Sequence, residues 1–280
     1  MKILVTGANG QLGNEIVKQN EAIGRNNTLI LTDVHNLDIT NEKEVWALIK
    51  NERPDAVINC AAYTNVDGCE SNENMAYQIN AIGARNLSIS AFEVGASIIQ
   101  VSTDYVFDGN TNQPRREFDH VNPMSVYGKS KELGERLVRE TNPRHFIVRT
   151  AWLYGEGNNF VRTILKLAKE KDEVSIVNDQ IGSPTSTKDL AACILDLTDT
   201  YNYGTYHATC EGYCSWYDFA KKIFSLKGIN IKVNAITTEQ LARPAHRPKY
   251  SVLDNFMLNI HGMNRFRTWD EAVEEYLKAN

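Results

Sequence analysis

The sequence predicts a doubly wound α/β protein, a parallel sheet with crossover helices on both faces and a smaller C-terminal lobe. Three observations carry that expectation. Short apolar runs alternate with helical patterns through the first half of the chain. The first run leads straight into a turn with glycines at Gly7, Gly10 and Gly13. Beyond Trp152 the alternation loosens into loops and isolated helices. Strands separated by helices of this length belong to parallel sheets, because each crossover must return the chain to the same end of the sheet.

Each element has its own signal. Ile3 to Val5, Leu29 to Leu31, Ala56 to Ile58, Ser97 to Val101 and Phe146 to Val148 are short apolar runs that suit buried strands. Between them, helical spacing covers Gln11 to Ile23, Glu42 to Lys50 and Met75 to Val94. The Leu37-Asp-Ile-Thr40 segment leads into the second of these, with Thr40 as its N-cap. A helix is also expected around Tyr127 and Lys131. Later, Gly155 to Asn159 and Asn178 to Thr185 are loops, and Arg243 to Pro248 is a loop rich in Arg and Pro. Helices are expected at Phe160 to Glu170, Lys188 to Leu197, Trp216 to Lys227 and Thr268 to Leu277. No repeat or flexible linker interrupts the chain, so the C-terminal lobe should pack directly on the sheet.

Composition narrows the partners. A chain of 280 residues can bury a core without metal or disulfide staples. A formal net charge of −5 and a pI near 5.7 argue against a nucleic-acid footprint, which needs clustered Lys and Arg. No apolar run approaches the ~20 residues of a membrane span, and the start resembles no signal peptide. The five cysteines form no CxxC pair and are odd in number, as expected of reduced thiols in a cytoplasmic protein, with Cys60 and Cys193 in the core. No carboxylate cluster with ligand spacing stands out, so no metal is expected.

The glycine turn follows a strand and opens a helix, the context in which backbone can approach a pyrophosphate and helix N–H groups can face an anion. Its spacing is G-x-x-G-x-x-G. A Rossmann-type dinucleotide site is therefore expected, with Gly7, Gly10, Gln11, Leu12 and Gly13 at the cofactor. Asp33 ends the second strand about 20 residues on, where an acid binds ribose hydroxyls and repels a 2′-phosphate, favouring NADH over NADPH. Arg25 and His35 are near enough in sequence to blunt that preference. Asp38 and Ile39 could hold adenine. Residues 1–155 are then the NAD-binding domain, completed by part of 180–210, and residues 156–280 are mainly a substrate-binding lobe.

Tyr127 and Lys131 stand four residues apart, one above the other on a helix. An ammonium beside a phenol stabilises phenolate and brings a group of pKa near 10 toward working range for proton transfer. Thr103 follows the fourth strand at its C-terminal end, the edge where ligands of open α/β sheets sit.

Taken together, Thr6-Gly-Ala-Asn-Gly-Gln-Leu-Gly13, Asn59-Cys-Ala-Ala-Tyr-Thr64, Val101-Ser-Thr-Asp-Tyr-Val-Phe107, Tyr127 with Lys131, and Arg149-Thr-Ala-Trp-Leu-Tyr154 resemble the extended short-chain dehydrogenase/reductases. More narrowly they resemble the dTDP-4-dehydrorhamnose reductase family. Gly157 to Phe160, Asn178 to Thr185 and Arg247 to Leu253 extend the resemblance over nearly the whole chain.

The resemblance implies a triad of Thr103, Tyr127 and Lys131. Tyr127 is its acid, Lys131 lowers the Tyr127 pKa and holds the nicotinamide ribose, and Thr103 binds the reacting carbonyl. It places Ala61, Ala62 and Tyr63 at the cofactor, and Thr64, Asp104, Tyr105 and Trp152 at a dTDP-sugar. Cations for the sugar's pyrophosphate would come from Arg247, with Arg162 and Lys249 weaker choices. Sugar-nucleotide dehydratases carry Thr-Asp-Glu after the fourth strand, whereas this chain has Thr103-Asp104-Tyr105 and lacks the eliminating Glu. Simple reduction of a 4-keto sugar with NADH or NADPH is therefore expected, in a protein that could be a homodimer. The alternatives are a reductase of another nucleotide sugar and a regulatory protein resembling the methionine adenosyltransferase beta subunit.

Overall fold

The computed structural model describes residues 1–22 and 24–279. Ile23, the last residue of the first expected helix, lies outside the described residues. Five strands follow the apolar runs: β1 (Lys2–Thr6), β2 (Thr28–Thr32), β3 (Ala56–Asn59), β4 (Ser97–Thr103) and β5 (His145–Thr150). A sixth, Gly204–His207, pairs in parallel with β5. Across the sheet the order is sixth strand, β5, β4, β3, β1, β2, all parallel. The chain steps outward from β1 to β2, then resumes on the other side of β1 at β3. That reversal opens a crevice beyond the C-terminal ends of β1 and β3.

Alternation along the strands builds two cores. Ile3, Val5, Ile58 and Ile99 face α1 (Gln11–Ala22) and the helix Thr187–Thr198. Leu4, Val57, Ile98 and Ile147 face α2 (Glu42–Glu52) and the helix Ala84–Glu93. The C-terminal lobe has a third core of Tyr154, Ile164, Ile176, Phe219 and Val273. It encloses a parallel pair, Glu173–Val177 with Lys232–Ile236, that the sequence pattern did not announce.

Three local expectations are corrected. The stretch Met75 to Val94 is not one α-helix: Glu73–Tyr77 and Ala84–Glu93 flank a π-helical segment, Gln78–Gly83. Its residue Asn80 turns inward, accepting from the Tyr63 N–H at 2.8 Å and donating to Ser130 Oγ at 3.0 Å. The N-cap of α2 is Asn41, not Thr40, because Asn41 Oδ1 accepts from the Lys43 and Glu44 N–H groups. The Asn178 to Thr185 loop contains the short strand Ile181–Gly182 and reaches a second, Thr185–Ser186. Among the described residues no helix is long and apolar enough to cross a membrane.

Beneath β4 and β5 lies a buried charge pair. Arg149 donates from Nε and Nη2 to the two Glu135 oxygens at 2.9 and 2.7 Å. Ser102 adds a 2.6 Å bond to the same carboxylate. His207 beside them is fully buried, and that burial, reinforced by the Arg149 charge, drops its pKa to about 3.

Candidate active site

The crevice is a cavity of about 700 Å³ bounded by the ends of β1 to β4 and closed by the C-terminal lobe. Its floor requires glycine. Gly7 has φ of +64°, and a Cβ there would stand 2.7 Å from the Ala61 nitrogen. A Cβ on Gly13 would stand 2.4 Å from the Gly7 carbonyl oxygen. The turn after β1 is thus pressed against both α1 and the loop after β3, leaving the helix N-terminus open to the cavity. Gly10, Gln11 and Leu12 line the same floor. Gln11 also ties it to the second half, donating to the Asn158 carbonyl at 3.1 Å.

Asp33 faces the cavity just beyond β2. Its Oδ2 accepts from the Asn9 N–H at 3.1 Å and its Oδ1 from the Val34 N–H at 2.8 Å. Arg25 does not temper this charge, because it turns the other way to pair with Asp196 and Asp199. Asp38 and Ile39 line the far end. Asp38 Oδ1 is occupied by the Thr40 backbone and hydroxyl at 2.9 and 2.8 Å. Ala61, Ala62, Tyr63 and Thr64 form a side wall. Cys60, expected in the core, is only half-buried and borders the cavity as well.

The helix Val126–Thr141 brings in Tyr127 and Lys131. Ser125 caps it, its Oγ accepting from the Gly128 N–H at 3.1 Å. Gly128 allows the helix to seat on the turn after β4, since a Cβ there would lie 2.2 Å from the Tyr105 carbonyl oxygen. Thr103, Tyr127 and Lys131 thereby meet in one cavity with the glycine floor.

Lys131 is buried and its Nζ donates to the Val101 carbonyl at 2.6 Å. Burial lowers its pKa to about 8, with Glu135 and Cys60 pulling it back up. Burial raises the Tyr127 phenol above its ordinary value, and the polar Thr103 side chain beside it opposes the rise. The expected lowering of Tyr127 by Lys131 is not realised in this conformation: desolvation dominates, and the ammonium is directed at Val101. Asp104 is also buried, which lifts its pKa to about 6 against the pull of its hydrogen-bonding neighbours. Tyr105 packs its ring against Tyr127 edge to face, with centroids 5.5 Å apart.

From the second half, Trp152 enters the cavity with φ of +48° and stacks on Trp216, ring centroids 3.5 Å apart and planes 6° from parallel. The stack rests on Gly182, where a Cβ would lie 2.4 Å from the Trp152 indole. Arg247 is not part of the lining: its Nη1 and Nη2 bind the two oxygens of Asp67 at 3.0 and 2.9 Å. The Arg162 Nε donates to the Tyr276 hydroxyl at 3.2 Å, and Lys249 is exposed. Sequence reasoning missed Trp216, Gln180, Pro248 and Ser251, all of which line the cavity. Gln180 and Ser251 lie inside segments that carried the family resemblance. Trp216 had no such signal, because a Trp following a Ser N-cap looks like the first core residue of a helix.

The family described as "RmlD substrate binding domain" matches residues 1–280. The chain belongs to the RmlD substrate binding domain family. Similar members of known structure include a dTDP-4-dehydrorhamnose reductase from Clostridium acetobutylicum, 56% identical, with a TM-score of 0.98 over 100% of this chain and 99% of that one. The dTDP-4-dehydrorhamnose reductase of Bacillus anthracis, crystallised with NADP, is 43% identical, with a TM-score of 0.96 and coverage of 100% and 99%. The dTDP-4-dehydrorhamnose reductase of Aggregatibacter actinomycetemcomitans is 43% identical over 90% of each chain. Membership of the RmlD family agrees with the fold, a parallel Rossmann-type sheet, and with the resemblance carried by the motifs.

Proposed function

We propose that this protein reduces the C4 keto group of dTDP-4-dehydro-L-rhamnose to give dTDP-L-rhamnose. The observation that carries the reading is the meeting of Thr103, Tyr127 and Lys131 with the glycine floor in one cavity, in a chain of the RmlD family. Other features support it. The floor fits a dinucleotide, since Gly7 and Gly13 let the turn pack tightly on the protein's own backbone and so leave the N-terminus of α1 lining the cavity. NAD(P)H, when bound, supplies the hydride. Gly7 through Gly13 would cradle its pyrophosphate, Asp33 its adenosine ribose, and Asp38 and Ile39 its adenine. Ala61, Ala62 and Tyr63 would wall the cofactor, with Lys131 on the nicotinamide ribose. Asp33, unopposed by Arg25, favours NADH over NADPH.

Tyr127 is the proton donor in this reading. Its elevated pKa keeps the proton on the phenol until charge develops on the sugar oxygen, which it then neutralises. Thr103 orients the carbonyl, while the Trp152 and Trp216 stack and Tyr105 give flat apolar faces for a deoxyhexose. Thr64 serves its hydroxyls, while Asp104, which was expected at the sugar, is buried behind Thr103. Arg247 could meet the diphosphate only by loosening its hold on Asp67. Residues 1–155, with the Thr187–Thr198 helix and the sixth strand, form the dinucleotide half, and most of 156–280 forms the sugar half. A homodimer in the cytoplasm completes the proposal.

Oxidation of NADH and of NADPH, followed by absorbance, tests the reading with dTDP-4-dehydro-L-rhamnose and with a UDP-linked 4-keto sugar. Turnover confined to the dTDP sugar supports it. Binding of the dinucleotide without turnover of either sugar would move the chain to another substrate or to a regulatory role.

A further inference from the structure

Thr103 has one hydroxyl hydrogen and more claims on it than it can meet. Its Oγ accepts from the Tyr105 N–H at 3.2 Å and donates to Asp104 Oδ1 at 2.8 Å. A hydroxyl donates once. While Asp104 is a carboxylate it can only accept, so it takes that hydrogen, and Thr103 has none for a substrate carbonyl or for Tyr127. The other Asp104 oxygen, Oδ2, is buried with the Ser251 hydroxyl nearby but turned to the Ile181 carbonyl, and makes no hydrogen bond of ordinary geometry. An orphaned oxygen of this kind is far costlier on a carboxylate than on a neutral acid.

Protonation resolves both difficulties. A proton on Oδ1 reverses the bond, so that Asp104 donates to Thr103, and it leaves Oδ2 as an uncharged carbonyl. Thr103 then accepts from Tyr105 and Asp104, and its own hydrogen is free to point into the cavity. We propose that Asp104 is a positioning residue that acts as a carboxylic acid, and that its protonation turns Thr103 from a donor to Asp104 into a donor to the reacting carbonyl. Its buried setting, with a pKa near 6, supports a neutral form in the working range. The titratable groups facing Asp104 are Tyr105 on its own turn and Tyr127 from the helix, both neutral phenols whose ionisation a charged Asp104 would oppose. Arg247 and Asp67, paired with each other, lie next to Tyr105, and Cys69 lies next to Tyr127.

The inference rests on the reductase reading, so the test begins with wild-type turnover of dTDP-4-dehydro-L-rhamnose, whose absence would sink that reading alone. Single-turnover NADH oxidation is then compared at about pH 5.5 and pH 7 in wild type and in Asp104→Asn, whose amide donates at either pH. One group titrating near 6 predicts a wild-type rate roughly eightfold lower at the higher pH, and a change under about twofold in the variant. A flat wild-type profile, the same slope in Asp104→Asn, or an Asp104→Asn protein that binds NADH but has no turnover would each overturn the proposal. Infrared difference spectra provide a second readout on the unaltered protein. The carbonyl stretch of a protonated carboxylic acid should grow as the pH falls through 6, and a spectrum without it refutes the assignment even if the variant does not fold.

Discussion

Lys131 Nζ is bonded to the Val101 carbonyl at 2.6 Å, although Tyr127 lies one turn away on the same helix. The ammonium is held at the C-terminal end of β4 by backbone, so its position is fixed by the sheet before any ligand arrives. Its pKa near 8 sets an alkaline limit. As pH rises through 8 the charge is lost, and kcat/KM should fall with it. Lys131→Ala should weaken NADH binding and turnover together and remove that alkaline limb, which a pH profile of kcat/KM and a dinucleotide titration would show.

Tyr127→Phe keeps the ring against Tyr105 but removes the only proton the proposed mechanism gives to the sugar oxygen. Turnover should drop by about 10²- to 10⁴-fold, the usual range for a lost general acid. NADH affinity, followed by fluorescence titration, should be retained. A near-normal rate in this variant would mean that Tyr127 is not the donor.

The stack of Trp152 on Trp216 predicts a separation of the two halves of the site. Trp216→Ala removes the support of an indole that already sits at positive φ, a conformation costing on the order of 1–3 kcal/mol. KM for the sugar nucleotide should rise about tenfold or more, with little change in the Kd for NADH. An equal effect on both would show that the stack serves the fold and not the sugar.

Glu135 and Arg149 predict the response to acid. Burial pushes Glu135 upward, but Arg149 outweighs it and holds the carboxylate below its ordinary range. A depressed acid contributes stability that is present above its unfolded pKa and lost as pH falls through the folded one. His207 acts in the same direction: between about 6.5 and 3 the unfolded chain binds its proton and the folded protein does not, so stability falls on acidification across that window. Glu135→Gln, which strands a buried guanidinium, should cost about 3–5 kcal/mol in urea unfolding at neutral pH. His207→Gln should make stability less steep between pH 6.5 and 3.

Much of this arrangement was legible because its signals are local. The apolar runs of β1 to β5 and the glycines from Gly7 to Gly13 announce themselves within a few residues. The spacing of Tyr127 and Lys131 placed both on one helix face, and the helix Phe160–Glu170 has the bounds its pattern predicts. The sixth strand was not legible, since Gly204-Thr-Tyr-His207 is short and opens on glycine. Neither was the π-helical segment, within which Asn80 bonds to Tyr63 and Ser130, 17 and 50 residues away in sequence. At the site, spacing could say that Lys131 was near Tyr127 but not that a strand carbonyl would claim its ammonium. Arg247 was readable as a cation, while its partner Asp67 lies 180 residues back.

That clasp has a consequence for how the protein is made. Asp67 belongs to the helix Val66–Ser71, early in the chain, and receives Arg247, the Ala245 N–H and Arg243 from near its end. Pro248 and Ser251, a few residues on, supply cavity wall. During synthesis the six sheet strands are all made before these residues exist, so the dinucleotide floor is complete in the chain while its sugar side still lacks a wall. The enclosure is completed only when the last seventh of the polypeptide returns to the first quarter.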